Sequence, residues 1–229
     1  MTVKTDTGIW ERPIAETPIA VIDFETTGLC AGPDRVVEVS VVRCEPGAEP
    51  RLVFDTLVHP QRPMDATFVH GLTDADVADA PKFEEIAGWL IDAVQDCVIA
   101  SYNISFDMAF FRHELKQVGV KTQVAHLCLM YLRPMLGFGP RCNLGAACRA
   151  HVVPVRPHHT SATDSLAAAG LWQKYRQAMA DRDIKTFRDL ADLGMYRFVD
   201  SFGSAPMKTP NKLLARGRLR SRHQPASPS

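Results

Sequence analysis

A mixed α/β fold, a five-stranded sheet with helices on its faces, is what this 229-residue sequence predicts. Three observations lead there. Three apolar, β-branched segments follow one another from residue 18 to 60, separated by Gly/Pro turns at 31–34 and 46–50, which favours an antiparallel meander. Beyond residue 80 the pattern changes to helix, short strand, helix, short strand, helices. The helical connection into the fourth strand makes it parallel to a neighbour, the first strand.

Residues 1–17 are polar and contain proline, and are expected to form an arm. "IAVIDF" is a continuous apolar run, as in a strand buried on both faces. "RVVEVSVVRC" alternates, with Val37, Val39 and Val41 facing one way and Glu38, Ser40 and Val42 the other. "RLVFDTLVHP" is the third strand. Phe83, Ile86, Ala87, Leu90 and Val94 recur at helical spacing, and "CVIAS" reads as the fourth strand. "SFDMAFFRHELKQVG" predicts a helix with Ser105 as N-cap and Gly119 as its stop. "VAHLCLM" is the fifth strand, and "NLGAACRAH" and "TSATDSLAAAGLWQKYRQAMA" are helices. The expected division is an arm at 1–17, a domain at 18–180, a helical extension at 181–204 and a disordered basic tail at 205–229.

The chain is long enough for one well-cored domain with extensions. Its net charge is +0, but from Ala205 onward it carries Lys208, Lys212, Arg216, Arg218, Arg220 and Arg222 with no acid, which leaves the body acidic. An acidic body suits cation binding, and a basic tail an anionic partner. No apolar run is long enough to span a membrane, and the N-terminus lacks the apolar core of a signal peptide. The six cysteines form no CxxC pair, so reduced core thiols and a cytoplasmic location are expected. Zinc binding by Cys142, Cys148 and His151 would have poor ligand spacing.

Asp23 and Glu25 stand two apart at a strand end and so project from the same face. Adjacent carboxylates repel, and are tolerated where they share a cation or where one keeps its proton; a solvated strand end is the bland alternative. Asp107 falls in the first turn of a helix, where a negative charge is favourable in any case. Asp164 lies on an Ala-rich face that otherwise reads as buried, an expensive position for an unpartnered carboxylate. His159, five residues earlier, can share a site with Asp164 only from the turn ahead of that helix. Four carboxylates from separate elements can hold two Mg²⁺ ions about 4 Å apart, the arrangement for in-line phosphoryl displacement. A neighbouring histidine can take the proton from water.

Read together, these residues resemble the DEDDh 3′→5′ exonucleases of the RNase H-like superfamily, typified by the epsilon proofreading subunit of bacterial replicative polymerase. The resemblance covers roughly residues 18–178. D-x-E-T-T-G-L stands as Asp23 to Leu29, N-x-x-F-D as Asn103 to Asp107, and H-x4-D as His159 to Asp164. It implies that Asp23, Glu25, Asp107 and Asp164 hold two divalent cations, Mg²⁺ with Mn²⁺ able to substitute, and that His159 is the general base. It implies further that Thr26, Gly28 and Leu29 contact the 3′-terminal nucleotide, with Leu29 as a wedge, that Asn103 and Phe106 shape the same pocket, and that His70 reaches the substrate. Two positions depart from the family: Ser161 stands where alanine is common, and Leu127 and Cys128 where many members carry Asp-Thr. Oligoribonuclease-type members resemble W-x-D-x-E-M-T-G-L, whereas this chain has Val21 and Thr26 at the Trp and Met positions, which leans toward DNA. An RNA-trimming enzyme and a polymerase-docked accessory subunit, held through the basic tail, are the alternatives.

Overall fold

The computed structural model describes residues 8–64, 71–156, 160–211 and 213–221. The sheet has five strands in the order β3-β2-β1-β4-β5, namely β1 (Ile19–Thr26), β2 (Val36–Cys44), β3 (Arg51–Leu57), β4 (Val98–Ser101) and β5 (His126–Cys128). β1 pairs antiparallel with β2, and β2 with β3; β1 pairs parallel with β4, and β4 with β5. The helices are α1 (Asp74–Val77), α2 (Phe83–Val94), α3 (Ile104–Gln117), α4 (Leu129–Met135), α5 (Leu144–Ala150), α6 (Ser161–Asp181) and α7 (Phe187–Asp192), followed by a 3₁₀ turn at Arg197–Gly203.

β1 is central, and the apolar residues Ile19–Ile22 are all buried, as a strand covered on both faces requires. The alternation in β2 has a different meaning from the one expected of a half-exposed strand. Glu38 and Ser40 are buried at 1% and 0% exposure, because α6 lies over their face. Each makes a polar contact across the layer: Ser40 Oγ bonds Ser165 Oγ at 2.8 Å, and Glu38 Oε2 accepts from the Ser161 N–H at 2.9 Å. A bulge between Glu25 and Thr26 breaks the β1–β2 register where the strand runs out toward the site.

α3 begins two residues earlier than the sequence suggests. Asn103 is the N-cap and Ser105 sits inside the first turn. Its C-terminus closes at Gly119 (φ 72°), with Gly119 N–H donating to Lys116 O at 2.9 Å and Val120 N–H to Leu115 O at 2.8 Å. The fifth strand is shorter than the expected 124–130: α4 turns directly out of β5 at Leu129 and contains Pro134. The buried cysteines 44, 97, 128 and 148 are all free thiols. Burial pushes the Cys44 and Cys97 thiols up to about 12, so they behave as small apolar groups.

Where they are described, both terminal regions depart from expectation. Within the supposed arm, Ile9 is fully buried, its N–H bonds Phe202 O at 2.7 Å, and Trp10 packs edge-on against Phe202. The basic segment 205–221, residue 212 aside, is an extended strap rather than a disordered tail. It exchanges backbone bonds with α2 (Gly88 N–H to Ala215 O, 3.1 Å; Gly217 N–H to Glu85 O, 2.5 Å). At the β3 edge Leu57 N–H bonds Arg220 O at 2.7 Å and Arg220 N–H bonds Thr56 Oγ1 at 2.9 Å. Arg216 holds Asp92 with two bonds of 2.9 and 3.0 Å, and Lys208 pairs with Asp96 at 2.7 Å. The strap shows no periodicity because its partners lie elsewhere in the chain, and its charge is complemented by the acidic body. It also covers an edge strand that would otherwise expose unpaired backbone groups.

Candidate active site

The pairing of β4 with β1 stops at Val21, so β1 runs on past its parallel neighbour. The Phe24 N–H that this leaves open is taken by Asp107 Oδ1 at 3.1 Å, while Ser101 Oγ, at the end of β4, donates to Asp107 Oδ2. Asp107 is thereby fixed against β1 from the first turn of α3, at 3% exposure.

Along β1 itself the pairing register sets the rest. Asp23 faces Ser40 and Glu25 faces Glu38, and directly paired residues share a face. That face lies under α6, which is anchored by Ser165 and by the Ser161 N–H, so Asp164 between them is aimed at the strand end. Carboxylate oxygens of Asp23, Glu25 and Asp164 come within 4.8 Å of one another, the one group of potential metal ligands of this kind among the described residues. Cys142, Cys148 and His151 form no comparable group there. Burial raises the Asp23 carboxyl well above its ordinary range, and the charges of Asp107, Glu25, Asp164 and Glu38 push it further. Burial also raises Asp107, against the lowering effect of its bonds from Ser101 and Phe24. Hard oxygen donors crowded in this way fit hard divalent cations such as Mg²⁺.

The acids open into a cleft of about 490 Å³ whose walls include Tyr102, Asn103, Phe106 and Leu144. Asn103 is exposed, and the Phe106 ring rests 5.0 Å from that of Phe110. The Thr-Thr-Gly turn follows directly. Thr26 Oγ1 donates to Gly28 O at 2.6 Å, which closes the turn and leaves Leu29 84% exposed at its tip.

Sequence reasoning missed what holds this turn. Asp34 accepts from Thr27 Oγ1 (3.2 Å), Cys30 N–H (2.9 Å) and Arg62 Nη1 (2.9 Å). A Cβ at residue 28 would meet that carboxylate at 2.5 Å, so glycine is needed there for close approach. The next residue, Arg35, grips buried Glu114 with two bonds of 2.7 and 2.8 Å. Glu114 lies seven residues after Asp107, two turns along the same face of α3. One helix thus fixes both an acid of the cluster and the exposed turn. Glu38 was also missed; the signal was a carboxylate in the second strand of a sheet already expected to carry helices on both faces.

α6 starts at Ser161, with Thr160 as its N-cap accepting from the Thr163 N–H. His158 and His159, just ahead in sequence, and His70 lie outside the described residues, so neither the expected general base nor the expected substrate histidine is described.

The strand-end carboxylate cluster stands on a mixed sheet of order 3-2-1-4-5 with helices on its faces, an RNase H-like architecture. The chain belongs to the exonuclease family, whose model matches residues 20–172. It is 32% identical over 190 residues to a DNA polymerase III subunit epsilon-like protein of Rhodobacter capsulatus, an alignment covering 77% of this chain and 27% of that protein. It is 29% identical over 144 residues to the DNA polymerase III subunit epsilon of Pasteurella multocida, covering 56% of this chain and 55% of the relative. The chain therefore spans only part of these relatives. In fold it is similar to exonuclease X in complex with 5′ overhanging duplex DNA (TM-score 0.58, 24% identity, 76% of this chain and 98% of that one). It is also similar to Escherichia coli exonuclease I in complex with a dT13 oligonucleotide (TM-score 0.59, 15% identity, 73% and 43%).

Proposed function

We propose that this protein is a DEDDh-type 3′→5′ exonuclease that removes nucleoside 5′-monophosphates from single-stranded or mismatched DNA ends. The observation that carries the reading is the convergence of Asp23, Glu25 and Asp164 within 4.8 Å at the mouth of a cleft, with Asp107 bonded to the strand between the first two. Asp23, Glu25, Asp107 and Asp164 would hold two divalent cations, Mg²⁺ or Mn²⁺. When bound, these supply the positive charge that lowers the pKa of water and offsets charge on the scissile phosphate. The side chains of this chain do the rest. Ser101 and the Phe24 N–H orient Asp107. His159 takes a proton from the attacking water. Leu29 separates the terminal base from its neighbour, while Asn103 and Phe106 form the wall against which the terminal nucleotide lies, and His70 reaches the strand. The turn of Thr26 and Gly28 brings backbone close to that nucleotide.

The experiment is digestion of matched DNA and RNA oligomers, labelled at either end, as single strands and mismatched duplexes. Stepwise shortening of 5′-labelled DNA with Mg²⁺, none with EDTA and slower loss from RNA is the expected result. Shortening from the 5′ end, or unchanged cleavage in EDTA, contradicts the reading. A second reading, association with a polymerase, is favoured by the epsilon-like relative. The strap is already committed to α2 and β3, so such docking would require it to be displaced or would use another surface; co-purification with and without residues 205–229 separates the two.

A further inference from the structure

From Leu115 to Thr163 the chain carries Lys116, Lys121, Arg133, Arg141, Arg149 and Arg156 and not one Asp or Glu. This all-basic stretch ends one residue before Asp164 and contributes Leu144 to the catalytic cleft. Polyanion binding beside an acidic centre needs such a local reversal of charge.

Part of the stretch is organised. Tyr131, in α4, lies 4.4 Å from Tyr196, ring to ring, at 39°. The guanidinium of exposed Arg141 sits 5.0 Å over the Tyr131 ring, and its Nη1 donates to Tyr131 Oη at 3.0 Å. No carboxylate pairs with Arg141 or Arg197 among the described residues. The two tyrosines line a second cavity of about 440 Å³, together with Ile104, Ser105, His126 and Arg197.

This cavity adjoins the catalytic cleft at the start of α3. Ile104 and Ser105 line the one, while their chain neighbours Asn103 and Phe106 line the other. Tyr102 lines the cleft and donates from Oη to Cys142 O at 2.6 Å, tying the Arg141 turn to the cleft wall. Aromatic and guanidinium planes beside unpaired cations are the usual means of holding single-stranded nucleic acid without sequence preference.

We infer that Arg141, Tyr131 and Tyr196 form a track for single-stranded DNA, holding the nucleotides upstream of the one being cleaved. The inference rests on the exonuclease reading and names where the rest of the strand lies.

The test is fluorescence anisotropy in EDTA with labelled oligothymidylates of about twelve and about three nucleotides, lengths that do and do not extend beyond a terminal site. Wild-type protein binds the longer strand more tightly. Arg141→Glu, a change at an exposed position, weakens that binding about tenfold or more and lowers its salt slope by about one, while binding of the short strand is unchanged. Tyr196→Ala, with its melting temperature checked, has the same selective effect. Equal binding of both lengths by the wild type, or unaltered binding of the longer strand by both variants, overturns the track and points instead to a protein partner for the basic face. Cleavage of a single-nucleotide p-nitrophenyl ester with Mg²⁺ reports separately on the catalytic reading, and Arg141→Glu leaves it at the wild-type rate.

Discussion

Asp23→Asn is expected to lower Mg²⁺-dependent cleavage by on the order of a thousandfold, the effect of losing several kcal/mol of transition-state stabilisation. It is expected at the same time to raise the melting temperature of the metal-free protein. The two effects share a cause. The Asp23 carboxyl is raised by burial and by four neighbouring acids, so the folded state holds its proton more tightly than the unfolded chain does. For a raised acid the penalty is absent below the unfolded value of 3.8 and grows as pH rises through the folded value. The variant's advantage over wild type in EDTA should therefore widen as pH rises from 3.8 toward neutrality. Taking the difference matters, because burial lowers His126 and His151, which makes the folded protein less stable as pH falls. A variant less stable than wild type at neutral pH contradicts this account of the site. Calorimetric melts across that range, with and without Mg²⁺, make the measurement.

His159→Ala is the second large effect, expected to slow cleavage by about 10²–10⁴-fold. If His159 accepts the proton of the attacking water, it must be neutral to do so, and the wild-type rate climbs with pH on its acid limb. The variant should lack that limb and should bind Mn²⁺ as wild type does. His158→Ala should retain the wild-type profile, since only His159 has the five-residue offset from Asp164. A variant that keeps the limb assigns the proton transfer elsewhere. Loss of Mn²⁺ binding would make the histidine a ligand or a support for one.

What could be read from sequence was what local periodicity encodes. Asp23 and Glu25 share a face because strands repeat every two residues. The first three strands and the parallel fourth follow from apolar runs, turns and connection length. Glu38 escaped because alternation says which residues share a face and not what covers it; in a strand covered on both sides a polar residue makes its contact inside a layer, here to Ser161. Asp34 and the Arg35–Glu114 pair escaped for a related reason. Their partners are fixed by tertiary approach, with α3 brought beside a turn far away in sequence. The strap is the clearest case. Composition argues disorder when a segment must bury its own apolar surface, but this one draws its bonds and counter-charges from α2 and the β3 edge.

The direct measurement is anomalous scattering from crystals soaked in Mn²⁺. The account requires peaks bounded by carboxylate oxygens of Asp23, Glu25, Asp107 and Asp164, with those peaks lost in crystals of Asp23→Asn. Manganese bound only elsewhere, with the four acids ordered and no peak among them, would contradict it.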